Sequence, residues 1–287
     1  MLANLRDMTP PNRRTYLKAI GTVTVAGGLA GCSSNTDEGD VDDNQTTDNG
    51  NTSTDSDDPL TAVVPGTAPG FAPFEMNRDG ELVGFDIDLL SAVAEEGGIE
   101  LVEWNTFEFA SLIPALRDNR IDVIAAGMTI TEDRQQQVDF SDPYYSSNQS
   151  VLVQSGGEFQ PESLSDLEGR AVGAQTGTTG EEVVSNQLID QGIISEGQYE
   201  AFDNYVFAVE DLERGLIDAI VIDEPVAQTF VTDRDVEIAF VYETGEQFGF
   251  AVRQDDDELR AALNDGLAAV EESGQLEELT TKWFQQE

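Results

Sequence analysis

Ile121-Asp122-Val123-Ile124-Ala125-Ala126-Gly127-Met128-Thr129-Ile130-Thr131-Glu132-Asp133-Arg134 is the stretch whose reading decides the fold. A short apolar strand, Val123 to Ala126, stops at Gly127 and opens into hydroxyls, acids and one arginine. The carboxyl end of such a strand is where open α/β sheets bind ligands. Thr129 and Arg134 together offer a hydroxyl, backbone N–H groups and a planar guanidinium, which grips a carboxylate through two parallel bonds. On the plainer reading Thr129 caps a helix and Arg134 is a surface charge.

The pattern returns. Leu116 to Ile124 reads as a helix end, a turn residue and a strand, and Leu212 to Ile220 repeats that order 96 residues on. Followed to its end, the second strand delivers Asp223 where the first delivers Gly127. Two similar α/β lobes are expected, with polar strand ends available to face each other.

Composition narrows the function. A formal charge of −43, from 57 acids against 14 bases, excludes nucleic acid and anionic lipid surfaces as electrostatic partners. The 39% of hydrophobic residues fall in periodic blocks that can bury a core, so the acidity reads as adaptation to concentrated salt, as in a halophile. There is no histidine and one cysteine, Cys32, which removes Ser-His-Asp and Cys-His nucleophiles, His-ligated metals and disulfides. No cofactor is expected.

The amino-terminal segment reads as an address. Arg13 and Arg14 precede an apolar run from Ala19 to Gly31 that is too short to span a membrane, and they resemble a twin-arginine export signal, with an ordinary secretory signal as the alternative. Leu29-Ala30-Gly31-Cys32 resembles a lipoprotein box, making Cys32 the lipidation site. Residues 1–32 are thus a signal, and residues 33–58, without a basic or aromatic residue, an acidic disordered tether. The folded module is expected at the extracellular face of the cytoplasmic membrane, lipid-anchored and monomeric.

Along that module, Leu60 to Pro65 reads as the first strand and Gly66 to Glu75 as a rigid loop. Asp86 is the expected N-cap of a helix that stops at Gly97-Gly98. Ile99 to Trp104 is a second strand, and Phe74, Phe85 and Phe107 are assigned to packing. In the second lobe a strand from Ala171 ends in Gln175-Thr176-Gly177-Thr178-Thr179, a helix start able to hold an anion. Asp223 precedes Glu224-Pro225 and either caps the next helix or meets a ligand cation. Val236 to Tyr242 and Phe248 to Val252 read as separate late strands, followed by two helices whose last turn carries Trp283 and Phe284.

Six motifs in order, among them Gly70-Phe71-Ala72-Pro73-Phe74-Glu75, Gly84-Phe85-Asp86-Ile87-Asp88-Leu89, Gly127-Met128-Thr129 with Arg134, Asp139-Phe140-Ser141-Asp142-Pro143-Tyr144-Tyr145 and Lys282-Trp283-Phe284, resemble the polar amino-acid-binding family (family 3) of extracellular solute-binding proteins. The resemblance implies a two-lobed, periplasmic-binding-protein-like type II fold, with lobe 1 at 59–146 and 248–287, lobe 2 at 147–247, and hinge crossings near Tyr144–Asn148 and Thr244–Phe248. It implies that Arg134 takes an amino acid's α-carboxylate with Thr129, Thr178 and Thr179. Asp223 and the Gly127 carbonyl would take the α-ammonium, Phe71 and Phe109 would flank the side chain, and Met128 and Gln175 would complete the set. Free amino acid and the permease and ATPase subunits of an ABC importer are the implied partners. Some members carry an acid at the position of Ala68 and a cation at that of Gln175. Their absence here favours a neutral or polar ligand, with Glu108 leaving room for a basic one. A cyclic-acid dehydratase on the same scaffold and a ligand sensor are the rival functions; the first needs chemistry, the second a signalling segment that this sequence does not show.

Overall fold

Two five-stranded sheets with the same strand order organise the computed structural model, which describes residues 60–285. The expected export signal, Cys32 and the tether lie outside the described residues. In chain order the strands are β1 (Leu60–Val63), β2 (Pro65–Thr67), β3 (Met76–Arg78), β4 (Glu81–Val83), β5 (Ile99–Leu101), β6 (Asn105–Thr106), β7 (Val123–Ile124), β8 (Val138–Phe140), β9 (Tyr145–Gln154), β10 (Val172–Gln175), β11 (Tyr199–Phe202), β12 (Ala219–Asp223), β13 (Val236–Phe248) and β14 (Ala251–Arg253). The first sheet runs β6-β2-β7-β14-β8 and the second β11-β10-β12-β9-β13. In each, three parallel strands are followed by one that is antiparallel to both its neighbours, β14 in the first and β9 in the second.

The sequence echo is a structural echo. Asn119 and Gly215 both turn the chain out of a helix with positive φ, 56° and 70°. Three residues on, Asp122 accepts a hydrogen bond from Val64 N–H and Asp218 accepts one from Ala171 N–H, both at 2.9 Å. Each aspartate thereby ties the start of its strand to the strand beside it, a duty for which a short side-chain acceptor suits an orphan amide.

Five elements depart from the sequence reading, the first being the Val123–Ala126 strand, which the structure ends at Ile124. The Leu60–Pro65 strand breaks at Val64, where the Asp122 carboxylate takes the amide, so that β1 pairs with β5 while β2 enters the main sheet. The second strand ends at Leu101 rather than Trp104. The late strands are apportioned differently. β13 runs unbroken to Phe248 because it pairs with β9 along its length, with a register shift between Tyr242 and Glu246, and β14 starts afresh at Ala251. Asp86 is not an N-cap: Gly84 holds that position before helix Phe85–Glu96, and Asp86 sits fully buried in the first turn.

β9 and β13 pair directly where the two crossings were expected, with Phe248 opposite Tyr145 and Glu246 opposite Ser147. An aromatic cluster packs at their foot. Phe284 of the last helix lies 4.8 Å from Tyr145, and Phe74 contacts Phe85, Tyr145, Phe248 and Phe284 at 5.1–6.0 Å. The last helix is pinned by Asp88, which accepts from Trp283 Nε1 at 2.8 Å and pairs with Lys282 Nζ at 2.6 Å. Among the described residues no helix is long and apolar enough to cross a membrane.

Candidate functional site

Arg134 is no surface charge. Thr131, not Thr129, caps the short helix Glu132–Gln135, and that turn drives Arg134 inward until 6% of it is exposed. Its Nη1 donates to Thr129 O at 2.7 Å and its Nη2 to Gly177 O at 3.0 Å, so the guanidinium joins the end of β7 to the loop after β10. The ring of Phe109 lies 5.4 Å from its central carbon. Burial lowers the guanidinium's pKa, and the opposing pull of Glu182, Asp223 and Glu246 sustains its charge.

Asp223 closes β12 with 3% exposure. It stands at the N-cap of helix Glu224–Asp233, yet its side chain makes no capping bond, and Oδ1 meets no donor. Burial, followed by the charge of Glu246, pushes its pKa well up. An isolated buried carboxylate with an unused acceptor is costly unless a cation or donor arrives.

Gly127 turns with φ 52°, and a Cβ there would come 2.6 Å from Phe71 Cε1. Only glycine lets this turn pass beneath the ring. Its N–H donates at 2.7 Å to Asp86 Oδ2, which also accepts from Tyr144 Oη at 2.7 Å. Burial raises the Asp86 pKa to about 7 against the lowering effect of those two donors. Glu75, fully buried with neither oxygen bonded, has its pKa raised well above the usual carboxylate range by burial and by the nearby Asp86 and Asp223.

Thr178 caps the helix that begins at Thr179. Its hydroxyl accepts from Glu181 N–H at 3.2 Å and donates to Gln175 O at 2.7 Å. The Thr129 and Thr179 hydroxyls lie 3.3 Å apart. Nine of the ten ligand-binding positions named from the sequence line one cavity, joined by Ala68. Met128 does not: its side chain is buried with Leu112, Leu116 and Ile124, because in the extended run past Gly127 successive side chains point to opposite sides. The cavity measures about 10 Å³, roughly one water, so an amino acid requires its walls to part.

Sequence reasoning missed four polar residues here: Glu75, Asp86, Gln149 and Glu246. Gln149 and Glu246 lie on β9 and β13, in contact with Thr179. With 57 acids in the chain, no local signal marks the few that are buried. Among the described residues no group of His, Cys, Asp and Glu is placed to hold a metal ion.

Comparison with known proteins agrees with this architecture. Residues 63–286 match the model of the bacterial extracellular solute-binding proteins, family 3. The arginine-binding extracellular protein ArtP of Bacillus subtilis (strain 168) is 34% identical over 225 residues, covering 77% of this chain and 86% of ArtP. An ancestral arginine-binding protein bound to arginine superposes with a TM-score of 0.72 at 39% identity, covering 78% of this chain and 98% of that one. The structure of an ancestral arginine-binding protein bound to glutamine gives the same TM-score at 38% identity, covering 78% and 98%. The chain therefore belongs to the bacterial extracellular solute-binding proteins, family 3.

Proposed function

We propose that this binding protein captures a free amino acid outside the cell and delivers it to the permease and ATPase subunits of an ABC importer. The observation that carries the reading is one pair of opposite charges, Arg134 and Asp223, both buried and both lining one small cavity between the carboxyl ends of strands from two sheets. An α-carboxylate against Arg134 and an α-ammonium against Asp223 would satisfy both at once. It is a trap and not an enzyme; nothing in the pair calls for a reacting bond.

Ligand entry is by hinge motion. Lobe 1 (59–146 and 248–287) and lobe 2 (147–247) part about the crossings at Tyr144–Asn148 and Thr244–Phe248, where β9 and β13 pair with each other. The side chain of the ligand is neutral or polar, because Ala68, Phe71, Phe109 and Gln175, the walls beyond the charge pair, are uncharged. A basic side chain is the second reading. It is favoured by the unbonded Glu75 and by the arginine in the names of the relatives, one of which is also seen with glutamine. Export by the twin-arginine route, anchoring through lipid on Cys32, a monomeric state and life in concentrated salt complete the reading, on the sequence features that motivate them.

The test is a thermal-shift screen of the twenty amino acids in molar potassium chloride, since a ligand at a hundred times its dissociation constant adds about 2.7 kcal/mol. A neutral or polar amino acid is expected to give the largest shift. Arginine or lysine at the top would establish the second reading, and no shift with any of the twenty would remove amino-acid capture altogether.

A further inference from the structure

Behind the candidate cavity three side chains, two of them the cavity-lining Thr129 and Thr179 and the third Gln149, meet on the carboxylate of Glu246. Glu246 Oε2 accepts from Thr129 Oγ1 at 3.1 Å and from Thr179 Oγ1 at 2.9 Å. Gln149 Nε2 donates to both Glu246 oxygens at 3.2 Å and lies 3.2 Å from Thr179 Oγ1. Thr129 follows β7 of the first sheet and Thr179 follows β10 of the second. Gln149 belongs to β9 and Glu246 to β13, neighbouring strands at one edge of the second sheet. The register of that pair slips between Tyr242 and Glu246, and the slip brings Glu246 opposite Ser147.

We propose that Glu246 is a closing latch: its carboxylate collects one hydroxyl from each wall of the cavity and holds the two walls together from the hinge. A hydroxyl has a single proton. With both protons directed at Glu246, the threonines turn only lone pairs toward the cavity, so a ligand carboxylate there draws its donors from Arg134 and from backbone amides. Glu246 is not among the residues that line the small cavity, so it acts as a positioning residue. It faces an outer cavity of about 580 Å³ that Glu182 and Glu243 also line, and there its carboxylate is half-buried, so the latch can release without stranding a charge. Threonines that bridge two walls through a shared acceptor favour closure whether or not a ligand is present, which lowers the work a ligand must do.

The latch rests on the hinged-trap reading of the preceding section, and its test needs no ligand. In the full chain with Cys32→Ser, spin labels at Glu100→Cys and Gln191→Cys, both exposed, report the separation of the two lobes in molar potassium chloride. Glu246→Ala should shift the distance distribution outward, with the ratio of closed to open molecules falling at least roughly tenfold, the scale of one lost charge-assisted hydrogen bond. Glu246→Gln should hold the closed distance, because its amide oxygen still accepts both hydroxyls and its NH2 can meet the Gln149 Oε1 that now has no partner. An unchanged distribution in Glu246→Ala overturns the latch, as does a Glu246→Gln protein that opens as far as the alanine one, which would make charge beside Arg134 the agent instead. Should Glu246→Ala lose its native circular dichroism, Thr179→Val carries the test with the same expectation, and its failure to open overturns the proposal. If the variants open while none of the twenty amino acids binds, the latch stands and the ligand reading falls; if amino acids bind and no variant opens, the reverse holds.

Discussion

The two halves of the molecule share a scaffold and differ at one point. Helix end, left-handed turn, strand-tying aspartate and strand coincide in Asn119, Asp122 and β7 on one side and in Gly215, Asp218 and β12 on the other. At the strand ends the match stops. The first half places Gly127, a bare turn under Phe71 whose amide is held by Asp86; the second places Asp223, a buried carboxylate with an unused oxygen. Repetition secures folding, and the break in the repetition supplies two unlike chemistries facing one cavity. The comparison predicts that changes at the shared positions alter stability and leave binding alone, while changes where the halves diverge do the opposite.

The largest effect belongs to the divergent ends. Arg134→Ala and Asp223→Ala should each weaken the best amino-acid ligand by about 2–5 kcal/mol in calorimetry, since either change leaves a desolvated ligand charge without its partner. Asp223→Ala should at the same time keep or raise the denaturation midpoint, because it removes a buried carboxylate whose Oδ1 meets no donor. Parent-like affinity in either variant would take that residue out of the site and the divergence out of the argument.

Much of this was legible beforehand. The strand ends, the echo and the buried arginine were readable because hydrophobic blocks, turn residues and a lone arginine after Gly-Met-Thr are local signals. Glu75, Asp86 and Glu246 were not, because burial is a tertiary property and an acid among 57 carries no mark of where it points. Glu246 was hidden twice over: Thr244-Gly245-Glu246-Gln247 lies outside the strands read from the sequence, and only pairing with β9 makes it strand. Met128 failed for a simpler reason, since a motif names positions in sequence while alternation decides which of them face the cavity.

A second, intermediate effect belongs to Asp86, which supports the Gly127 side alone. In the unfolded chain it ionises in the ordinary carboxylate range near 3.9, and in the folded chain at about 7, pushed up by burial. Between those values the folded state keeps a proton the unfolded state has lost, so stability falls as pH rises through that window and levels off above it. The term amounts to on the order of 4 kcal/mol at most, and Glu75, raised for the same reason, acts in the same direction. Urea midpoints in molar potassium chloride should therefore decline between pH 4.5 and 7.5, and Asp86→Asn, which retains an acceptor for Gly127 N–H and Tyr144 Oη, should flatten that decline. An equal slope in the variant would mean that Asp86 is already ionised at the lower pH.

The smallest effect tests the shared part of the scaffold. Asn119 and Gly215 occupy the same left-handed turn, and a Cβ built on Gly215 meets nothing within 4 Å, so only the backbone preference distinguishes the two residues. Asparagine tolerates that region better than other residues with a Cβ, and glycine carries more freedom in the unfolded chain to lose. These two tendencies oppose each other. Gly215→Asn and Asn119→Gly should each change stability by less than about 1 kcal/mol, whereas a β-branched residue at either position should cost about 1–2 kcal/mol because its branch crowds the following carbonyl. Ligand affinity should stay put in all of these variants, since both turns lie at the far ends of their strands from the cavity. A turn exchange that left stability alone but shifted affinity would show that the repeated scaffold reaches the site, and that the division of labour between shared and divergent positions is false.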